Sequence, residues 1–251
     1  MKPTRRFGLF DTLFSIVLLA SLILNWFLFI QGRQYYLQLN ETRLDPLGLS
    51  YYSSDATQQN FTVPSKITVL FFGDSRVISW PPPNLPGFEF INRGIGAQTS
   101  AQAFQRFNYH VEPLNPQVIV VQICINDLKT IPIFPGKSDT IVANCKANIR
   151  QIVKKSIDIG ATVILTTVFP IGKVPLERRL FWSPAVALAI EDVNSYIHSL
   201  EAQNVIVFDT YSILVDNGTT RDEFAQDFLH LNETGYAALN SEFVHILAPL
   251  E

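Results

Sequence analysis

Apolar positions along the chain fall into three regimes. Residues 12–30 (TLFSIVLLASLILNWFLFI) carry no formal charge over nineteen positions. Wound as an α-helix they reach about 30 Å, the thickness of a bilayer core, and no polar stripe is present to face water. Residues 32–65 turn polar, with NETRLDPLG and YYSSDATQQN, and read as a stalk with room for local structure around Tyr35 and Tyr36. Beyond residue 65, short β-branched apolar runs alternate with stretches of helical periodicity. The runs ITVLFFG, FEFIN, VIVVQI, TVILTTV and NVIVFD, starting at Ile67, Phe88, Val118, Thr162 and Asn204, predict five strands. Helical patterns cover about residues 100–109, 140–159, 184–203 and 233–247. Three of the strands are almost continuously apolar, as in sheets covered on both faces. This alternation predicts a parallel sheet in an α/β sandwich, one domain over residues 66–251 behind a membrane segment (1–31) and the stalk (32–65). Ligands of such sheets bind beyond the carboxyl ends of the strands.

Charge changes the picture at the N-terminus. Lys2, Arg5 and Arg6 precede the apolar run, and only Arg33 and Arg43 follow it closely, so a modest positive-inside bias leaves the C-terminal domain outside the cytoplasm. Residues 27–31 read FLFIQ, with no small-x-small pair for cleavage, so an uncleaved single-pass anchor is expected rather than a removed signal peptide. A net charge of −3 without a basic stripe argues against a nucleic-acid partner. Cys124 and Cys145 are too few for a Cys-rich zinc site. Two buried free thiols are expected, with a single bridge as the alternative in an oxidising compartment. Sequons stand at Asn40, Asn60, Asn217 and Asn232.

Candidate chemistry gathers where the strands end. Gly73-Asp74-Ser75 closes the first predicted strand, and a serine at a strand-to-helix turn is pushed outward at the top of the sheet. Alone the tripeptide is equally a turn or a helix cap. After the second strand, residues 92–99 read NRGIGAQT, a glycine-bearing turn whose free N–H groups can hold a developing oxyanion. A dinucleotide fingerprint is disfavoured there, because Thr99 replaces the third glycine and the motif follows the second strand. The third strand ends in Cys124-Ile125-Asn126-Asp127, where Asn126 can aim its amide at the same oxyanion and Asp127 can brace the loop. Near the C-terminus, Asp227 and His230 stand three apart before a predicted helix that Asn232 can cap, a spacing that lets the carboxylate orient the imidazole. His110, His198 and His245 have no such acidic neighbour and read as ordinary helix or loop residues.

Together, and in this order, the blocks GDS, NRGIGAQT, xxND and DxxHLN resemble the SGNH hydrolase superfamily, the GDSL-type esterases and lipases. The resemblance spans residues 66–251 and implies a three-layer, flavodoxin-like α/β/α sandwich with a five-stranded parallel sheet. It implies Ser75 as nucleophile, Asp227 and His230 as its triad partners, and an oxyanion hole from the N–H groups of Ser75 and Ala97 and the Asn126 amide, with neither metal nor cofactor. Two positions depart from the family pattern: Ala97 and Cys124 stand where glycines are usual. Arg76 is also unusual beside the nucleophile and is a candidate contact for an anionic or sugar group.

Trp80, followed by three prolines, and Trp182, near Arg178 and Arg179, are further candidate substrate contacts on two loops at the mouth. The expected substrate is a small-molecule or polysaccharide ester, foremost an O-acetyl group on carbohydrate, with the membrane as the partner of the N-terminal helix. A lysophospholipase or thioesterase acting on lipid esters is the enzymatic alternative. A catalytically silent binding protein on the same fold, motivated by the two glycine replacements, is the alternative of another class. A glycan on Asn232 would crowd His230, so that sequon is expected to be unmodified.

Overall fold

The computed structural model describes residues 8–52 and 65–251, so Lys2, Arg5, Arg6 and the Asn60 sequon lie outside the described residues. The chain divides into two compact units, Met1–Pro46 and Leu47–Glu251. The first holds one helix, α1 (Leu9–Leu44), 36 residues long with no buried side chain. Its most apolar 18-residue window has a mean hydropathy of 2.5, enough by length and composition to cross a membrane. The helix runs on past residue 31 and takes in Tyr35 and Tyr36, where local structure was expected. Neither proline nor glycine interrupts residues 33–44, and the first breaker is Pro46. Leu47 and Tyr52, also within the expected stalk, belong to the second unit and hydrogen-bond to its loops.

The second unit is built on β1 (Ile67–Gly73), β2 (Phe88–Gly94), β3 (Val118–Gln122), β4 (Thr162–Thr166) and β5 (Val205–Phe208). All four pairings are parallel, in the order β2-β1-β3-β4-β5. This is the doubly wound order whose switch point lies between β1 and β3. The connecting helices are α2 (Ser75–Ile78), α3 (Ser100–His110), α4 (Ile125–Leu128), α5 (Ser138–Asp158), α6 (Ala185–His198), α7 (Thr210–Leu214) and α8 (Glu233–Leu247). The predicted strands and long helices agree with these bounds to within a few residues.

Two cores follow from the two-residue period of the strands. Leu70, Phe72, Ile119, Val121, Val163 and Leu165 face one side, packed with Ala103 and Phe107 of α3, Ile149 and Ile152 of α5, and Ile190 and Val193 of α6. Val69, Phe71, Val120 and Ile164 face the other, against Leu239 and Phe243 of α8. Trp80 belongs to this second core and is 1% exposed, ringed by Phe71, Phe169, Tyr236 and Phe243. Its indole N–H donates to Asn240 Oδ1 at 2.8 Å. Trp80 is therefore a core residue and not the substrate contact expected from its proline-rich surroundings: the large apolar ring finds both a cavity to fill and a partner for its N–H.

The cysteines are also corrected. Cys124 and Cys145 form a disulfide, with Cα atoms 6.0 Å apart, joining the end of β3 to α5. The two positions meet only once α5 lies across the sheet, which spacing along the chain does not reveal. The bridge closes a loop of 21 residues. Cys145→Ser should lower unfolding free energy by about 3 kcal/mol, the loop-closure entropy for a loop of that length. Denaturant titrations of this variant and of wild type, with and without reductant, check this: reductant should shift only the wild type.

Candidate active site

The turn that carries Ser75 starts from a backbone constraint. A Cβ at Gly73 would lie 1.8 Å from the backbone oxygen of Gln122 on the neighbouring strand, so only glycine fits. The chain leaves β1 at that point and turns directly into α2. Asp74 caps the turn, its Oδ1 accepting from the Arg76 N–H at 2.9 Å. Burial pushes the Asp74 carboxyl up to about 6, although the Arg76 charge and N–H both work against the rise. Ser75 follows as the first residue of α2.

Ser75 Oγ lies 3.0 Å from His230 Nε2. On the far side of the ring, His230 Nδ1 stands 2.9 Å from Asp227 Oδ2 and 3.1 Å from Oδ1. The Asp227 carboxylate also accepts from the backbone N–H groups of Leu229 and His230, at 2.7 and 2.8 Å. Burial alone would raise this carboxyl, but the bond from the His230 ring, the two backbone donors and the imidazole charge outweigh it and hold it below the usual range. Asn232 caps α8 through Gly235 N, and its Nδ2 donates to Glu223 O at 2.8 Å, which fixes the loop carrying the pair. The geometry suits an imidazole that accepts the serine proton while a carboxylate holds its orientation.

Two further arms converge on Ser75. The loop after β2 returns toward it, with Ile95 N bonded to Gly73 O at 3.0 Å, and presents Ala97 at φ 60°, exposed at its tip. From the end of β3, Asn126 donates one amide N–H to Gln98 O at 3.0 Å, leaving its second for a ligand. Asp127 braces the same region, accepting from Ser100 N and Ser100 Oγ, both at 2.8 Å. Ser75, Ala97, Asn126 and His230 line one cavity of about 180 Å³, walled by Arg76, Ile125, Lys129 and Leu229.

The remaining candidates fare unevenly. Arg76 is 1% exposed and committed elsewhere, donating to Leu229 O at 2.9 Å and Phe169 O at 3.2 Å, so its charge props the site from behind rather than reaching into solvent. Trp182 is half-buried and meets Phe228 edge-on at 5.3 Å, beside the loop of Asp227 and His230 but outside the cavity lining. Arg178 and Arg179 lie on an exposed 3-10 turn, Leu176–Phe181. Sequence reading passed over Lys129, a half-buried wall residue with no ion-pair partner among the described residues. Burial pushes its ammonium down; Asp74 opposes that shift, while Arg76 and Arg178 reinforce it. Its signal was available: a cation one turn past Asn126. His110, read as ordinary, is buried and contacts Arg106 Nη1 at 3.2 Å. Among the described residues, no cluster of three His, Cys, Asp or Glu side chains is suited to hold a metal.

Ser75, His230 and Asp227 thus stand in one hydrogen-bonded line at the switch point of a doubly wound sheet. Residues 71–238 match the model of the GDSL-like Lipase/Acylhydrolase family, and the chain belongs to that family. Solved structures agree on the fold. A GDSL-like lipase from Bacteroides thetaiotaomicron VPI-5482 is 18% identical over 82% of this chain and 99% of its own, with a TM-score of 0.64. The acetyl xylan esterase AlAXEase is 18% identical over 72% of this chain and 100% of its own, TM-score 0.56. A mutant of the acetylxylan esterase Axe2 from Geobacillus stearothermophilus is 18% identical over 72% of this chain and 94% of its own, TM-score 0.52. No curated protein matches the chain.

Asp227→Asn keeps the shape of the side chain and removes the charge that selects the imidazole tautomer. Ester turnover should fall by roughly 10³- to 10⁴-fold with KM little changed. Steady-state kinetics beside a thermal melt would separate this loss from unfolding.

Proposed function

We propose that the protein is a membrane-anchored serine esterase that removes a short acyl group, foremost O-acetyl on carbohydrate, outside the cytoplasm. The observation that carries this reading is the unbroken path Ser75–His230–Asp227 opening into a small cavity beside Asn126. Ser75 Oγ attacks the ester carbonyl as His230 Nε2 takes its proton. The N–H groups of Ser75 and Ala97 and the Asn126 amide receive the oxyanion. His230 then returns the proton to the leaving alcohol, and water, activated by the same imidazole, releases the acid from the acyl-enzyme.

The size of the cavity favours an acyl group near acetyl over a long lipid chain. Two relatives in fold are named as acetyl xylan esterases, which agrees with that preference without extending their substrate to this chain. An N-terminal helix with nineteen uncharged positions over residues 12–30, followed by a domain with a disulfide, supports an anchor with the domain in an oxidising compartment. The silent-binder reading rests on the glycine replacements. Against it, Ala97 adopts the left-handed backbone its position calls for and still offers an N–H.

Full-length protein in detergent should hydrolyse p-nitrophenyl acetate faster than the butyrate and octanoate esters, and Ser75→Ala should abolish all three. A preference for octanoate would shift the reading to a lipid esterase; inactivity with no fluorophosphonate labelling of Ser75 would favour the binding protein. Lys129 walls the cavity together with Arg76 and, as the more exposed of the two, is the cation offered to substrate. Lys129→Gln should therefore cost roughly 10-fold in kcat/KM for an acetyl ester with an adjacent carboxylate, and little for p-nitrophenyl acetate, the scale of a charge-assisted contact.

A further inference from the structure

The loop bearing Ala97 has a problem that its own residues do not solve. Alanine at φ 60° costs about 1–2 kcal/mol relative to right-handed backbone. Such a conformation persists where the surroundings over-determine it. Part of those surroundings comes from residues 47–52, which precede the family-matched region and follow α1 in sequence after Asp45 and Pro46.

This strap holds the loop at both ends. At the start, the Tyr52 hydroxyl donates to Gly94 O, and Arg93 lies over the Tyr52 ring at 4.5 Å. At the far end, Gln98 is 4% exposed and serves as a hub. Its Nε2 donates to Leu47 O at 2.8 Å, its Oε1 accepts from Arg106 Nε at 2.5 Å, and its backbone oxygen accepts from Asn126. Between these points Gly48, at φ +67°, passes so close that a Cβ would lie 2.9 Å from Ile95 Cδ1 and 3.2 Å from Gln98 Nε2. Arg106 completes the frame, donating to the backbone oxygens of Gly73 and Arg93, both at 2.9 Å. Burial pushes the Tyr52 phenol up to about 12, so it stays a donor across the working range of pH.

We propose that residues 47–52 are a positioning element of the catalytic site: by clamping Gly94 and Gln98 they hold Ala97 N–H in the oxyanion-binding orientation. The proposal rests on the esterase reading for its catalytic half. It also implies that a domain cut at residue 66, or at the start of the family match, keeps every oxyanion donor but lacks the element that orients Ala97.

The test uses the full-length protein with Tyr52→Phe, which removes one donor, and Gly48→Val, which pushes the strap away. Hydrogen exchange of the amides of residues 95–98 should quicken about 10-fold or more in both, with the melting temperature near that of wild type. On p-nitrophenyl acetate, kcat should fall roughly 10- to 100-fold at nearly constant KM, approaching the loss of a whole oxyanion donor. A glycine at position 97 relieves the strain that the strap opposes. In the Ala97→Gly background the kcat penalty of Tyr52→Phe should therefore shrink severalfold, which a merely structural tyrosine would not do. Unchanged exchange in both variants overturns the clamp, and an equal kcat penalty in both backgrounds overturns its positioning role. A wild type without turnover but with the quickened exchange in its variants overturns the esterase reading and leaves the clamp standing.

Discussion

At the carboxyl end of β1 the backbones of two parallel strands approach more closely than any side chain permits. The absence of a Cβ at Gly73 lets Gln122 lie against it, and the rest of the site is referred to that contact. Because β1 and β3 touch there, Ser75 emerges at the switch point, with the loop after β2 on one side and Asn126 after β3 on the other. Gly73 O accepts from Ile95 N and from Arg106, so the same residue that admits the close approach also fixes the loop of Ala97. A larger residue at this point would separate the strands and displace every group that converges on Ser75.

Two positions where the family usually has glycine carry side chains here, and both sit at positive φ: Ala97 at 60° and Cys124 at 97°. The chain meets the demand for left-handed backbone by external restraint rather than by glycine's freedom. For Cys124 the restraint is covalent, through Cys145 on α5. For Ala97 it is the polar frame around Gln98. The gain is a backbone with fewer states to lose on folding, and the cost is dependence on parts distant in sequence.

Much of this was legible in the sequence because it is local. Five apolar runs and four helical patterns follow from side-chain period, and the motif blocks lie at strand ends because turns need their residue types. Ser75, His230 and Asp227 were singled out as a set through the resemblance of the ordered motif blocks to a known family, and the fold brings them within hydrogen-bond reach. What was not readable depends on contacts between distant segments. Trp80 looked like a rim residue from its prolines, yet a ring that large is drawn into the core when Asn240 can satisfy its N–H. Arg76 looked free beside the nucleophile, yet carbonyls 93 and 153 residues away claim it. The cysteine bridge and the role of residues 47–52 arise likewise from segments that meet only in the fold.

Two buried guanidiniums explain how the arms of the site stay in register. Desolvation alone would expel Arg76 and Arg106, and it pushes them down to about 10 and about 9, still charged at neutral pH. Neither is paired with a carboxylate in a salt bridge; both are held mainly by carbonyl oxygens at strand ends and loops. Each also lies over an aromatic ring, Arg76 over Phe169 at 5.2 Å and Arg106 over Phe72 at 4.3 Å. A planar group with five donors suits this task, because it gathers carbonyls from several segments at once and is weakly hydrated to begin with. Arg76 ties the Ser75 turn to Leu229, next to His230, while Arg106 ties Gly73 to the loop of Ala97 through Arg93 and Gln98. The loop of His230 and the loop of Ala97 are thus each fastened to the turn of Ser75 by a separate cation. A rearrangement that loosened one arm would strand a buried charge, and that penalty, of several kcal/mol for an uncompensated ion, is what keeps the two halves of the site at a common distance from Ser75.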